Sequence, residues 1–142
     1  GYSPSDFIKE VKKKFKVEKQ SSSYKPEKSQ KILDKIMSEF YGVGDEGLAL
    51  SGMDDAGEMS AWFVFAAAGL YPLSPADNEY LVTIPIFKDV KFNLTEGNSF
   101  HIHQDSNSRN LKGIDLNSKP VKNYFIKQSD LIKPGELFLK TE

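Results

Sequence analysis

The chain has 142 residues, long enough for one domain with a real core or for one small lobe plus an appendage. Hydrophobic residues make up 39% and aromatics 12%, which excludes a disordered chain. A formal net charge of −1 gives nucleic acid or an anionic membrane no electrostatic reason to bind, and the absence of cysteine excludes disulfides and thiolate chemistry.

The first segment, "SPSDFIKEVKKKFKVEK", predicts a helix with Ser5 as N-cap and Ile8, Val11 and Phe15 at helical spacing. Its lysines, from Lys9 to Lys19, read more simply as a solvated face than as a binding patch. "SSSYKPEKSQ" breaks the pattern, and Pro26 suits the first turn of a second helix. Ile32, Leu33, Ile36, Met37 and Phe40 form that helix's apolar stripe, which ends near Gly42. The glycine-rich "YGVGDEGLALSG" reads as a loop.

A third helix is expected from about Asp55 to Ala68, stopped by Gly69 and Pro72. Between Met59 and Leu70 its only polar side chain is Ser60, so it is apolar all round. Such a helix needs cover on most sides, either from the second half of the chain or from something larger. Trp62, Phe63 and Phe65 could stack on a sugar, but Met59, Trp62 and Phe65 read as core at this spacing.

Beyond residue 79 the period changes to two. "EYLVTIPIF", "DVKFNL", "SFHIHQ", "LKGIDLN", "NYFIKQ" and "ELFLK" predict six short strands, separated by "TEGNS", "SNSRN", "NSKP" and "KPGE". The expected fold class is α+β, with a helical lobe over 1–72 and a small antiparallel β-sandwich over 73–142, its strands in meander order. No apolar run reaches the ~20 residues of a membrane span.

Two sets of residues are candidates for chemistry. Asp54 and Asp55 stand at the mouth of the third helix, where an aspartate can accept hydrogen bonds from the free N–H groups of the first turn. Asp55 with Glu58 three residues on resembles a capping box. An acid beside a glycine loop could instead activate water or hold a cation. His101 and His103 fall on one face of a predicted strand, with Asp105 two residues further, a spacing that could begin a zinc site but lacks further ligands. The plainer reading of that trio is an exposed strand face.

Taken together, "GMDDAGEMSAWFVFAAAGLYPLSP" followed by "EYLVTIPIFKDVKFNL" closely resembles the C-terminal part of glycoside hydrolase family 92. That family reads roughly Gly-Asn/Asp-Asp/Glu-Asp-x-Gly-Gln/Glu-Met-Ser-Ala-Trp-Tyr-x-Phe, then Gly-Phe-Tyr-Pro. Gly52, Asp54, Asp55, Gly57, Glu58, Met59, Ser60, Ala61, Trp62, Phe65, Gly69, Tyr71 and Pro72 fit it. "KPEKSQKILDKIMSEFYGVGDEGL" resembles the family's preceding helix and loop. The resemblance implies calcium-dependent, inverting exo-α-mannosidases, chiefly bacterial and secreted, periplasmic or surface-exposed, which act on α-mannose-containing glycans. It also implies that the helices here correspond to the end of an (α/α)6 barrel, with the rest of that catalytic domain as their partner.

By the same resemblance Asp55 holds the general-base position, with Asp54 beside it, and Asp55 and Glu58 lie near a calcium site that is assembled partly from regions absent here. Met53 stands where the family usually has a second Asp or Asn assisting the base. The family's general acid is a glutamate in a Gly-Asn-Glu-Pro-like segment before the helix that begins near Pro26. Here "FKVEKQ" runs straight into "SSSYKPEKSQ", and no residue matches it. The expectation is a fragment or remnant of an α-mannosidase without turnover alone; the alternative is a non-catalytic carbohydrate-binding or interaction module derived from that family. Should the chain hydrolyse mannosides, Glu46 or Glu58 would be the next carboxylates to consider as acid.

Overall fold

The structure, a computed structural model, describes residues 26–44, 47–49, 53–73 and 76–142, with the side chains of 43–44 and 47–49 left aside. The helix expected after Ser5, its lysines, Gly52 and Glu46 lie outside the described residues.

Helix α1 runs Pro26–Phe40. Proline at its first position has no N–H to leave unpaired and a φ already set for a helix. Its Leu33 and Met37, one turn apart, are buried against the second helix, α2, which runs Glu58–Ala67. Between them the expected loop is instead a short hairpin, β1 (Gly42–Gly44) paired antiparallel with β2 (Gly47–Ala49). Glycine-rich composition hid it, because a three-residue ladder is held by backbone hydrogen bonds and needs no side-chain pattern.

Helix α2 ends as the sequence predicts. Gly69 sits at φ +79°, and its N–H reaches back to the Ala66 carbonyl at 3.1 Å. A left-handed residue after the last turn favours glycine. Here glycine is also required by space, since a Cβ would lie 2.7 Å from the Thr83 carbonyl oxygen. The helix end then hands over to the sheets: Thr83 N–H donates to the Gly69 carbonyl at 2.9 Å, and Ile86 N–H to that of Ala67 at 3.0 Å.

The strands are β3 (Leu70–Tyr71), β4 (Glu79–Val82), β5 (Asp89–Asn93), β6 (Ser99–Gln104), β7 (Leu111–Leu116), β8 (Lys119–Val121), β9 (Phe125–Lys127) and β10 (Gly135–Thr141), with a one-turn helix α3 (Gln128–Leu131) before the last. They form a three-stranded sheet ordered β3-β4-β9 and a five-stranded sheet ordered β5-β6-β10-β7-β8. The expected antiparallel meander is not what forms. β10 enters between β6 and β7, antiparallel to β7 but parallel to β6, with Leu137 opposite Ile102. Its Leu137 and Leu139 are fully buried, so this strand takes the centre, where both its edges are paired. Strand β4 is also shorter than "EYLVTIPIF" suggested, since Pro85 has no N–H for a ladder.

One core joins the two sheets: Leu70, Val82 and Ile126 come from the smaller, and Phe100, Ile102, Ile114, Leu137 and Leu139 from the larger. A second cluster, Leu33, Met37, Ala66 and Ala67, lies between the helices, with Trp62 and Phe63 packed on it. The molecule is therefore α+β, with a mixed rather than purely antiparallel larger sheet.

A polar latch ties α1 to the β part. The Arg109 guanidinium is bidentate on Asp34, with Nε donating to Oδ2 at 3.0 Å and Nη2 to Oδ1 at 2.5 Å. It also donates to the carbonyls of Pro85 at 2.6 Å and Ile84 at 3.0 Å. Beside it, buried Gln30 accepts from the Ile84 N–H at 2.8 Å and donates to Asp34 at 2.8 Å.

Candidate functional site

The two aspartates at the mouth of α2 have different fates. Asp54 carries the cap. Its Oδ1 accepts the Ser60 N–H at 2.8 Å and its Oδ2 the Ser60 hydroxyl at 2.6 Å. Its carbonyl accepts the N–H groups of Gly57 at 2.5 Å and Glu58 at 3.1 Å. The first turn of α2 therefore receives its acceptors from a residue outside the helix, and an anion at that end also meets the positive end of the helix dipole. The Ser60 hydroxyl, then the Ser60 N–H, hold the Asp54 carboxyl below its ordinary pKa.

Asp55 opens a single 3-10 turn, Asp55–Gly57, that joins Asp54 to α2. Two successive left-handed residues follow it, Ala56 at φ +63° and Gly57 at φ +88°. Glycine takes such a φ without cost, whereas for alanine it is strained, and that strain is met where Asp54 clamps the turn from both sides. The Asp55 carboxylate is exposed and enters no hydrogen bond or ion pair among the described residues. The capping box expected from Asp55 and Glu58 does not form: the side chain that caps belongs to Asp54, and it reaches Ser60. Spacing alone favoured Asp55 because the sequence does not show the left-handed pair, which pushes the start of α2 to Glu58. Met53, the neighbour on the other side, is 83% exposed and offers neither carboxylate a strong donor.

Glu58 is exposed on the first turn of α2. It borders a cleft of about 480 Å³ between the two helices, whose other walls include Ile36, Tyr41, Met59, Trp62 and Tyr71. Tyr41 stacks on Trp62 and on Phe63, each with ring centroids 5.2 Å apart, and Trp62 meets Tyr71 edge-on at 6.4 Å. Burial, and then the charge of Asp54, push the Tyr41 hydroxyl above its ordinary pKa, so it stays protonated. Sequence reasoning missed Tyr41 and met Tyr71 only as a motif position, because each lies beyond the end of the helix it serves. Of the aromatic and thioether side chains expected in the core, Met59 and Trp62 are half-buried and Phe65 is 37% exposed, stacked on Tyr80 at 5.9 Å. An all-apolar helix carries more apolar surface than these neighbours cover.

His101 and His103 do share the outer face of β6, His101 exposed and His103 partly so. His103 Nε2 lies 3.7 Å from Glu136 Oε2 on the neighbouring strand and its ring meets Phe138 edge-on. His101 Nε2 pairs with the Ser99 hydroxyl at 2.9 Å. Asp105 does not join them. Its Oδ1 accepts the Thr141 hydroxyl at 2.7 Å and the Thr141 N–H at 2.9 Å, and those two bonds hold its carboxyl below the ordinary pKa. Among the described residues no three His, Asp or Glu side chains converge as a metal would need.

The glycosyl hydrolase family 92 catalytic domain matches residues 21–142. The chain belongs to that family. Solved structures of its members contain the same fold. An inverting mannosidase of family 92 from Bacteroides thetaiotaomicron is 32% identical over 82% of this chain, with a TM-score of 0.69. An α-mannosidase of family 92 from the same organism, solved in complex with mannoimidazole, is 28% identical over 82%, with a TM-score of 0.72. A further family 92 glycosyl hydrolase, 22% identical with a TM-score of 0.66, shares the fold. No curated protein matches the chain significantly. The family 92 chain described here spans about one sixth of the first two relatives, 16% of each. Among its described residues no helix is long and apolar enough to cross a membrane.

Proposed function

We propose that this chain is the part of a calcium-dependent inverting α-mannosidase that carries the general base, and that Asp55 is that base. The observation that carries the proposal is the division of labour between the two aspartates. Asp54 is committed to Ser60, while Asp55, next to it on a strained turn, keeps an exposed carboxylate available to take a proton from water. Inversion uses two carboxyl groups about 6.5–9.5 Å apart, with a water between the base and the anomeric carbon. Asp55 supplies the base, Asp54 holds the turn that presents it, and the acid is to come from elsewhere. On this reading α1 and α2 are the end of an (α/α)6 barrel, and the closing strands belong to a β-sandwich.

Calcium prefers six to eight oxygen ligands. The described residues do not provide them: both Asp54 oxygens are engaged by Ser60, and Glu58 is a single exposed carboxylate. On our reading Glu58 gives one oxygen and the rest of the catalytic domain gives the others. A protein of this type acts on α-mannosidic linkages of glycans outside the cytoplasm.

General acid or base assistance is worth about 10²–10⁴-fold each, so without its acid the chain is expected to release no measurable mannose from α-mannosides, with calcium present. Hydrolysis that disappears in Asp55→Asn would show that the acid is within this chain and overturn the inactivity. Hydrolysis unaffected by Asp55→Asn would overturn Asp55 as base. A second reading, a carbohydrate-binding or interaction module, is favoured by one observation. Val64, Phe65, Ile86 and Phe87 leave apolar surface exposed near the C-terminal end of α2.

A further inference from the structure

We propose that the cleft between α1 and the first turns of α2 is a second carbohydrate site, distinct from Asp55, that takes a single pyranose ring. The choice of sugar rests on the mannosidase reading above; the choice of place rests on the cleft itself. Its volume of about 480 Å³ lies within the ~300–1,000 Å³ usual for small-molecule sites.

A pyranose presents an apolar face of C–H groups and an equatorial rim of hydroxyls, so its site needs an aromatic wall with hydrogen-bonding groups at the edge. Trp62 and Tyr71, inclined at 84°, form the corner of such a wall, and Tyr41 backs Trp62 from a nearly parallel plane. The edge groups are in place. Trp62 Nε1 donates to the Tyr71 hydroxyl at 3.4 Å, which leaves the phenolic proton of Tyr71 to donate elsewhere. Among the described residues the Tyr41 hydroxyl has only the thioether of Met59 at 4.0 Å, a weak acceptor that a sugar hydroxyl would replace with gain. Glu58, which we assign to calcium only within a whole catalytic domain, lines the same cleft with an exposed carboxylate, and in this chain it accepts two vicinal hydroxyls of the sugar. Asp55 is not among the residues that line it. Ile36 and Met59 close the floor with apolar surface, so the cleft matches a ligand with one greasy and one polar side.

Trp62 is the only tryptophan, so intrinsic emission reads this cleft directly. Methyl α-mannopyranoside titrated into the full chain should change Trp62 emission saturably, with a Kd on the order of 1 mM for so small a ligand. Glu58→Gln and Tyr71→Phe, both conservative and each checked for an unchanged melting curve, should each weaken binding by about 5-fold. Proton saturation transfer from protein to sugar should appear in parallel. The proposal is overturned if emission stays flat to about 50-fold that concentration in a folded chain. It is equally overturned if binding is unchanged in both variants, or if emission follows protein concentration instead of sugar, which would make the cleft a contact between copies. The assay reads binding without turnover. An inactive chain therefore leaves this proposal standing, and a failure here leaves Asp55 as base untouched.

Discussion

Replacing Arg109 with methionine keeps the length and much of the packing of the side chain and removes its charge and its donors. Four hydrogen bonds go with it, two to Asp34 and two to the carbonyls of Ile84 and Pro85. The pair is about one-third exposed, 37% on the Arg109 side and 31% on the Asp34 side. Exposed ion pairs contribute about 0–1 kcal/mol, whereas breaking a buried pair costs about 3–5 kcal/mol because the remaining charge is left unpaired. Partial burial and bidentate geometry place Arg109→Met between these limits, at roughly 2 kcal/mol. Asp34 retains Gln30 as a donor, which keeps the figure from the upper limit. For a chain of this length that is a fall in Tm of about 4–8 °C. Arg109→Lys should recover less than half, since an ammonium cannot reproduce the planar fork. Urea unfolding of the wild type, Arg109→Met, Asp34→Asn and the double variant would give the coupling energy, expected at about 1–2 kcal/mol. A coupling indistinguishable from zero, or a single-variant loss below about 0.5 kcal/mol, would show that the latch does not hold the helix to the sheets.

Three further outcomes are expected. Gly69→Ala forces a left-handed alanine and drives its Cβ to within 2.7 Å of the Thr83 carbonyl, so a loss of roughly 3 kcal/mol or more in urea unfolding is expected, against about 1 kcal/mol for Gly97→Ala, where φ is also positive but an added Cβ meets nothing. Trp62→Ala removes a half-buried ring from the helix cluster and should cost about 2 kcal/mol, below the roughly 3–5 kcal/mol of a fully buried aromatic; a melting shift no larger than a surface change would place Trp62 outside the core. The carboxyl pKa values of Asp54 and Asp105 are both lowered on folding, by the hydrogen bonds from Ser60 and from Thr141. A lowered folded pKa stabilises the chain above the unfolded value of about 3.9 and loses that contribution as pH falls through the folded pKa. Stability should therefore drop below about pH 4, and the acid limb should flatten in Asp54→Asn and Asp105→Asn; an unchanged limb in both would refute those bonds.

Much of this architecture was legible in the residues, for identifiable reasons. Helix α1 announced itself through Pro26 and the spacing of Leu33 and Met37, and α2 through its apolar run and the Gly69 stop, because both signals are local. Most strands were legible as strands, since period-two alternation is also local, but β3 was read as part of the helical lobe and β8, whose Lys119 and Pro120 read as a turn, was missed. Their order was not. That β10 lies parallel to β6 depends on which strand buries both edges, a choice made by the whole sheet and carried by no single segment. The hairpin at Gly42–Ala49 was illegible because its stability lies in the backbone. At the site, motif and position singled out Asp54 and Asp55, but only the left-handed pair at Ala56 and Gly57 shows which carboxylate is used up and which is free.

The placement of β10 bears on how the chain acquires its structure. Strands β5 and β6, and likewise β7 and β8, are neighbours in sequence and can zip together early. The two hairpins have no direct ladder with each other, because Gly135–Thr141 lies between them. Residues 105–134 separate β6 from its parallel mate, so the larger sheet remains two open-edged halves until β10 docks. Loop closure over such a distance precedes the contacts that reward it, which makes this the slow step of assembly. During that interval the inner edges of β6 and β7 are unpaired and open to a strand from another molecule. A refolding chain is thus most vulnerable to clumping before β10 docks. Dilution or slow synthesis should improve the yield of native protein more than added stability elsewhere.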